Sequence, residues 1–419
     1  MMRYVLIILI CTLGINAFAQ PTDTVFLKNL LQSHPDFFSG ILKHPTNNEV
    51  QILYTKIDRD KNNVPHFTFY SYHLNARHYF YPASTVKLPT AIFAVEKLNR
   101  LHIPGLNMNT VMKTDSSYDG ETKLLEDSSS VNGLPNIENY IKKILLVSDN
   151  YAYNRLYEFV GRGEINAKLK KYNLIDSRII GRLAIYDGGE QAKHTNAIDF
   201  YNNDKLIYHQ PPQYDANEYP MQLDNMIRGI GYLDKNDKLV MKPYDFTNKN
   251  IYSIADMQRV LRLLLFPEAF PKSQRFNLTP AQYRFFWRYM SMFPNESRKP
   301  TYNRPDYYPA YCKFLFYGGD STATINPNIR IFNKVGDSYG YDIDNAYIVD
   351  FKHNVEFILT AVVQSNENNI YNDNKYEYDT VCLPFLKNLG QVIYQYELNR
   401  KRKYRANLLK YEFNYTNPE

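Results

Sequence analysis

The chain has 419 residues, with 49 Lys and Arg against 43 Asp and Glu for a formal net charge of +6, and 44% hydrophobic residues. That length and balance describe a soluble globular protein with ample chain for a sizeable core, and they exclude a disulfide-stapled miniprotein or a disordered tail protein. The positive charge is spread along the sequence apart from Arg400, Lys401, Arg402, Lys403 and Arg405. No basic-aromatic interleaving or nucleic-acid motif accompanies that run, so it reads as a solvated helix end, and nucleic acid is not an expected partner.

The N-terminus reads Met1-Met2-Arg3, an apolar run from Tyr4 to Leu13, and Ala17-Phe18-Ala19 before Gln20. Basic, apolar and small-residue regions in that order predict a secretory signal peptide over 1–19, cleaved after Ala19. The apolar run is shorter than a bilayer span requires, and Cys11 follows Ile10 instead of a small residue, so neither an anchor nor a lipid is expected. The mature chain, 20–419, is therefore expected in the periplasm or secreted, without stable membrane insertion and as a monomer. Cys312 and Cys382 remain, and their spacing leaves open whether they pair. No metal-ligand spacing is present and no organic cofactor is implied.

Thr22 to Ser39 has a helical pattern. Val50 to Arg59 and Phe67 to His73 alternate as strands about the polar turn Lys61-Asn62-Asn63. From Ala83, apolar residues at Ala91, Ile92, Ala94, Val95 and Leu98 predict a buried helix of about four turns, with Pro89 removing one early backbone bond. Asn136 to Phe159 predicts two helical stretches meeting at Val147-Ser148-Asp149-Asn150, and Gly163 to Lys171 a third. Residues 200–250 and 294–325 lack periodicity and read as surface insertions. Between them Ser253 to Leu265 is a capped amphipathic helix. Ile329 to Lys334, Ala346 to Phe351 and Val355 to Val363 are strands, and Leu383 to Leu398 is a closing helix. The 38 Tyr and 24 Phe accompany much Asn, Lys and Ile, a bias of the whole coding sequence, and receive no functional weight.

Three short motifs carry chemistry. In Ser84-Thr85-Val86-Lys87 the serine and lysine lie three apart on one helical face. A helix N-terminus favours an oxyanion at the serine, and a lysine in an enclosed site can lose its proton and act as base. Ser148-Asp149-Asn150 lies between helices, where a short polar run can turn its side chains into a cleft. Lys334-Val335-Gly336 ends a strand and is followed by Asp337. Each motif alone is weak, since Ser-x-x-Lys and Lys-x-Gly arise often by chance.

In that order and in those contexts, the motifs match the set Ser-x-x-Lys, Ser-Asp-Asn, Lys-Thr-Gly of class A β-lactamases and penicillin-binding proteins. The chain resembles the class A serine β-lactamase family of penicillin-recognising serine hydrolases over most of its mature length. The resemblance implies an α+β fold, an antiparallel sheet flanked by helices, with an all-α part inserted over roughly 100–325. It implies a small-molecule or cell-wall peptide substrate and an acyl-enzyme at Ser84, with Lys87 as base or relay. Ser148 would pass a proton toward the leaving nitrogen, Asn150 would hold Lys87 and a substrate amide, and Lys334 would supply positive charge. The backbone N–H groups of Ser84 and Asp337 would form the oxyanion hole, with Gly336 keeping the strand open.

Two positions depart from the family pattern. After the Ser-Asp-Asn motif the family has Arg-x-Glu, whose glutamate activates the deacylating water. Here Arg182-Leu183-Ala184 puts alanine in that place, with Glu190 or Asp187 as possible replacements. Val335 stands where the family has Thr or Ser, and loss of a hydrogen bond to a carboxylate costs roughly 1.5–3 kcal/mol. Besides β-lactam hydrolysis, the residues leave open a penicillin-binding, D,D-peptidase-like protein with slow deacylation, and a non-catalytic envelope protein using the cleft to bind a ligand.

Overall fold

Strands from the two ends of the chain build one sheet. The computed structural model describes residues 23–43, 47–117, 122–185 and 189–416; the expected signal peptide and Asp187 lie outside them. β1 (Gln51–Arg59) and β2 (Pro65–Tyr72) pair with β3 (Ile329–Ser338), β4 (Tyr341–Asp350) and β5 (Val355–Gln364) in the order β3-β4-β5-β1-β2, all antiparallel. The join between the ends is β1 to β5, with Thr55 opposite Ile358. Successive side chains on a strand face opposite ways. In β5, Phe357, Leu359, Ala361 and Val363 enter one core, while Ile358 and Val362 enter another.

Among the described residues the helices longer than one turn are α1 (Val25–Gln32), α2 (Pro35–Lys43), α3 (Lys87–Leu101), α4 (Ile137–Val147), α5 (Asn150–Val160), α6 (Arg162–Lys171), α7 (Ile254–Leu265), α8 (Pro280–Ser291) and α9 (Leu383–Asn399). One core joins the sheet to Leu27 and Leu31 of α1, Phe38 and Ile41 of α2, and Phe385 and Leu389 of α9. The other joins it to α7 and, beyond that, to α3 through α6 and α8. Local chemistry fixes several starts: Asn136 caps α4, Ser253 caps α7, and Thr279 with Gln282 forms a capping box on α8. Among the described residues no helix is long and apolar enough to cross a membrane.

Three expectations differ from the structure. The single helix over 22–39 is two helices, because Pro35 lacks the N–H that would continue α1 and starts α2 instead. The middle region is helical but also carries a three-stranded sheet, Val111–Thr114 with Ile198–Asn202 and Lys205–Gln210. The 294–325 segment is not a surface insertion throughout. Cys312, Phe314 and Leu315 are buried in the core of β3 and α9, and the Lys313 ammonium donates to the carbonyls of Met290 and Ile331 and to Asn333 Oδ1 at 2.7–2.9 Å. Buried lysine is tolerated there because each of its protons has an acceptor. Cys312 and Cys382, whose pairing the sequence left open, are both buried and unpaired.

The basic run near 400 is also less solvated than its composition suggests, since Arg400 and Arg402 both reach the Glu397 carboxylate and Arg400 also bonds Asp58. A second ion pair lies deeper. Arg59 donates through Nε and Nη2 to the two Glu356 oxygens at 2.6 and 2.7 Å, and the Tyr347 hydroxyl donates to the same carboxylate. Arg59→Ala would strand that carboxylate in the core, for an expected loss of about 3–5 kcal/mol. The check is a urea melt, in which the midpoint falls with little change in slope.

Candidate active site

The first motif forms where the chain enters α3. Ala83, with φ 46°, turns the chain into a short 3-10 helix, Ala83–Val86, that runs on into α3. The Thr85 hydroxyl donates to the Pro82 carbonyl at 2.6 Å and fixes this turn. Ser84 is 9% exposed, at the edge of solvent, whereas Lys87 one turn on is fully buried.

The second motif is a joint between helices. Ser148 ends α4 in the left-handed region, with φ 60°, and Asp149 caps α5 by accepting the Ala152 N–H. Asn150 is therefore the first residue of α5. This joint aims three groups at one ammonium: Lys87 Nζ donates to the Ser148 carbonyl, to Asn150 Oδ1 at 2.6 Å, and to Ser148 Oγ at 3.3 Å.

The third motif closes the site from the sheet. Lys334 Nζ donates to Ser148 Oγ at 2.8 Å and to the Val335 carbonyl at 2.7 Å. On the same face of β3, a Cβ at Gly336 would lie 3.0 Å from the Ser84 nitrogen and 2.9 Å from the Pro82 oxygen. Glycine is thus required for β3 to approach Ser84 so closely. Val335 alternates to the other face and packs in the core with Cys312 and Ile331. The Asp337 side chain is exposed. Ser84, Lys87, Ser148, Asn150, Lys334 and Gly336 are thereby brought together across more than half the chain.

Burial sets the electrostatics. It drives Lys87 well below the ordinary lysine range, and the neighbouring Lys334 ammonium pushes the same way. Burial also brings Lys334 down to about 8. Burial therefore favours the neutral amine at Lys87, with the Lys334 ammonium beside it pushing the same way. With Lys87 neutral, the Ser148 hydroxyl can turn its proton to that nitrogen while accepting from Lys334, which makes a relay between the two lysines. Acylation at Ser84 should rise as Lys87 loses its proton and fall as pH climbs through about 8, where Lys334 discharges. The second-order rate of acylation by a reactive β-lactam measures this, and a flat profile from about pH 6 to about pH 10 would refute these assignments.

The loop after α6 carries Arg182-Leu183-Ala184. Asn154, one turn after Asn150 on α5, receives the Leu183 N–H at 2.9 Å and donates to the Leu183 carbonyl at 3.0 Å. Arg182 pairs with buried Glu158. The residue whose backbone α5 holds is consequently Leu183, which is buried, and Ala184 is exposed with φ 55°. Glu190 is exposed, and the Tyr214 hydroxyl and Lys193 hold its carboxyl below the usual range. Asp187 lies outside the described residues.

Sequence reasoning missed Asn154 and Leu183, although Asn154 stands four residues after Asn150 and hence on the same helical face. It also gave the tyrosines no role, yet two of them stand close in sequence to Ser84 and Gly336. Tyr81 packs on Tyr339 with ring centroids 4.8 Å apart, and Tyr244 bonds Tyr339 hydroxyl to hydroxyl at 3.2 Å. Among the described residues no group of His, Cys, Asp and Glu is placed to hold a metal ion.

The model of the beta-lactamase enzyme family matches residues 41–396. The chain belongs to that family. Its members are penicillin-recognising serine hydrolases that act on amide bonds, and this chain is one of them. Solved structures that it is similar to include a beta-lactamase from Sphaerobacter thermophilus, at 12% identity over 88% of this chain and 97% of that one, with a TM-score of 0.45. PBP-A is similar at 13% identity over 90% of this chain and 98% of that one, with a TM-score of 0.47. A beta lactamase from Xanthomonas campestris pv. campestris is 12% identical over 87% of this chain and 98% of that one, with a TM-score of 0.46. No curated protein matches the chain.

Proposed function

We propose that this hydrolase is exported, acylates at Ser84 with β-lactams or related amides in the class A manner, and releases the acyl group slowly, as a penicillin-binding or D,D-peptidase-like protein would. The Lys87–Ser148–Lys334 relay carries the first half of this reading. Ser84 Oγ bonds to the carbonyl carbon while its proton passes to Lys87 Nζ. The C–N bond then breaks as Ser148 delivers a proton to the leaving nitrogen and is itself reprotonated from Lys87. The Ser84 N–H, beside Gly336, and the Asp337 N–H stabilise the oxyanion. Export rests on the signal-peptide pattern of residues 1–19.

Slow release rests on the Arg182-Leu183-Ala184 run, which carries no acid where the family has Arg-x-Glu, and on Leu183, an apolar residue whose backbone Asn154 holds one helical turn from Asn150. A cell-wall peptide amide is the substrate class that fits such slow turnover of β-lactams. Intact-protein mass over a time course with a reactive β-lactam tests the reading: an adduct forms, persists, and is absent in Ser84→Ala. No adduct at any concentration would overturn it, and rapid loss with product release would make the protein an efficient lactamase. Leu183→Glu is expected to shorten the adduct lifetime about 100-fold or more by supplying a general base. An unchanged lifetime in a folded variant would show that the loop is not where water is activated.

A further inference from the structure

The 294–325 segment sets a row of tyrosines against the end of α4. Tyr302 is buried with Leu146, Val147 and Met292, and Tyr307 and Tyr311, both half-buried, pack on that cluster. Val147 is the last residue of α4, directly before Ser148. Tyr302 to Tyr307, Tyr307 to Tyr311 and Tyr311 to Tyr308 meet edge to face, with ring centroids 4.9, 5.1 and 5.6 Å apart. Edge-to-face is a favoured arrangement of aromatic rings, so a half-buried ring in such a row can take one more ring in the same way.

The row also reaches the sheet. Cys312, next to Tyr311 in the chain, packs in one core with Val335 of β3. Burial, then the Cys312 thiol, Tyr307 and the Asp337 carboxylate, raise the Tyr311 hydroxyl above the usual tyrosine range, so Asp337 at the end of β3 is among its electrostatic neighbours. Tyr311 is thus tied to the α4 end through Val147 and to β3 through Cys312 and Asp337. Those are the two elements that Lys334 Nζ and Ser148 Oγ bridge at 2.8 Å. Ser148 is the group assigned above to protonate the leaving nitrogen, so the half of a substrate nearest this row is the half that departs.

We propose that Tyr307 and Tyr311 form a shelf on the leaving-group side of the Ser84 site and select substrates whose departing amine carries a flat aromatic group. The choice of side rests on the role proposed for Ser148. The test uses two cephalosporins that share one acyl side chain and differ at C3, on the ring that holds the departing nitrogen: one carries methyl, the other styryl. Calorimetric titration of Ser84→Ala protein reads binding without acylation, and intact mass of the native protein reads acylation. The styryl compound is expected to bind about 10-fold more tightly than the methyl compound. Adding Tyr311→Ala should cut that preference to about twofold or less, whereas Tyr311→Phe, which keeps the ring, should retain it. Equal binding of the two compounds, no binding of either, or a preference that survives Tyr311→Ala would overturn the shelf. A Tyr311-dependent preference in a protein that never acylates would support the shelf and refute the Ser84 chemistry, and acylation without any preference would do the reverse. Should Tyr311→Ala fail to fold, Tyr307→Ala on the neighbouring ring decides by the same ratio.

Discussion

Gly336→Ala is expected to lower the acylation rate at Ser84 by about 10²–10³-fold, the loss typical of removing one oxyanion donor. The added methyl would meet only backbone: the Pro82 oxygen at 2.9 Å, the Ser84 nitrogen at 3.0 Å and the Thr85 nitrogen at 3.1 Å. No flexible side chain can give way, so either β3 or the turn carrying Ser84 must move. Either movement separates the Ser84 N–H from the Asp337 N–H on β3. The measurement is the second-order acylation rate beside a thermal melt. A folded variant that acylates at the original rate would show that β3 does not help to hold the oxyanion.

The second large effect is expected from Lys87→Met, which keeps an unbranched side chain, one atom shorter, and removes the amine. General-base removal should slow acylation by about 10²–10⁴-fold. The variant leaves the Ser148 carbonyl and Asn150 Oδ1 without their shared donor, at about 1–3 kcal/mol per buried acceptor. It also releases the cost of a buried lysine, so a folded sample is expected and the rate loss can be read cleanly. The pH profile adds a discriminating readout: the rising limb assigned to Lys87 should vanish, and the fall near the Lys334 value of about 8 should remain.

The sequence carried the motifs and the strands because both are local. Ser84 and Lys87 are fixed by a single helical turn, and β1 and β5 show the alternation or apolar runs of half-buried and doubly buried strands. The Ser148 joint was legible too, because a polar triplet between two helical patterns has few other uses. What could not be read depends on contacts between distant segments. The 294–325 segment looked like an exposed insertion because its Tyr, Asn and Lys content is polar, yet Lys313 finds three acceptors behind β3. Only the folded sheet supplies them. The hold of Asn154 on the loop had the same origin. Counting from Arg182 pointed to Ala184, while the hydrogen bonds from Asn154 select Leu183, and no spacing rule within the loop reveals that clamp. Glu190 looked available as an acid until its pairing with Lys193 and Tyr214 was seen.

The left-handed backbone at Ser148 sets a trade-off between robustness and activity. A non-glycine residue in that region costs of order 1–3 kcal/mol unless its surroundings hold it there. Glycine would adopt the same turn without that penalty, so Ser148→Gly should unfold at a similar or higher temperature. It would also delete the hydroxyl that joins the two lysines. Selection for thermal tolerance alone would therefore drift toward an inert protein at this position, and retention of serine there marks a residue held by its chemistry at the expense of the fold.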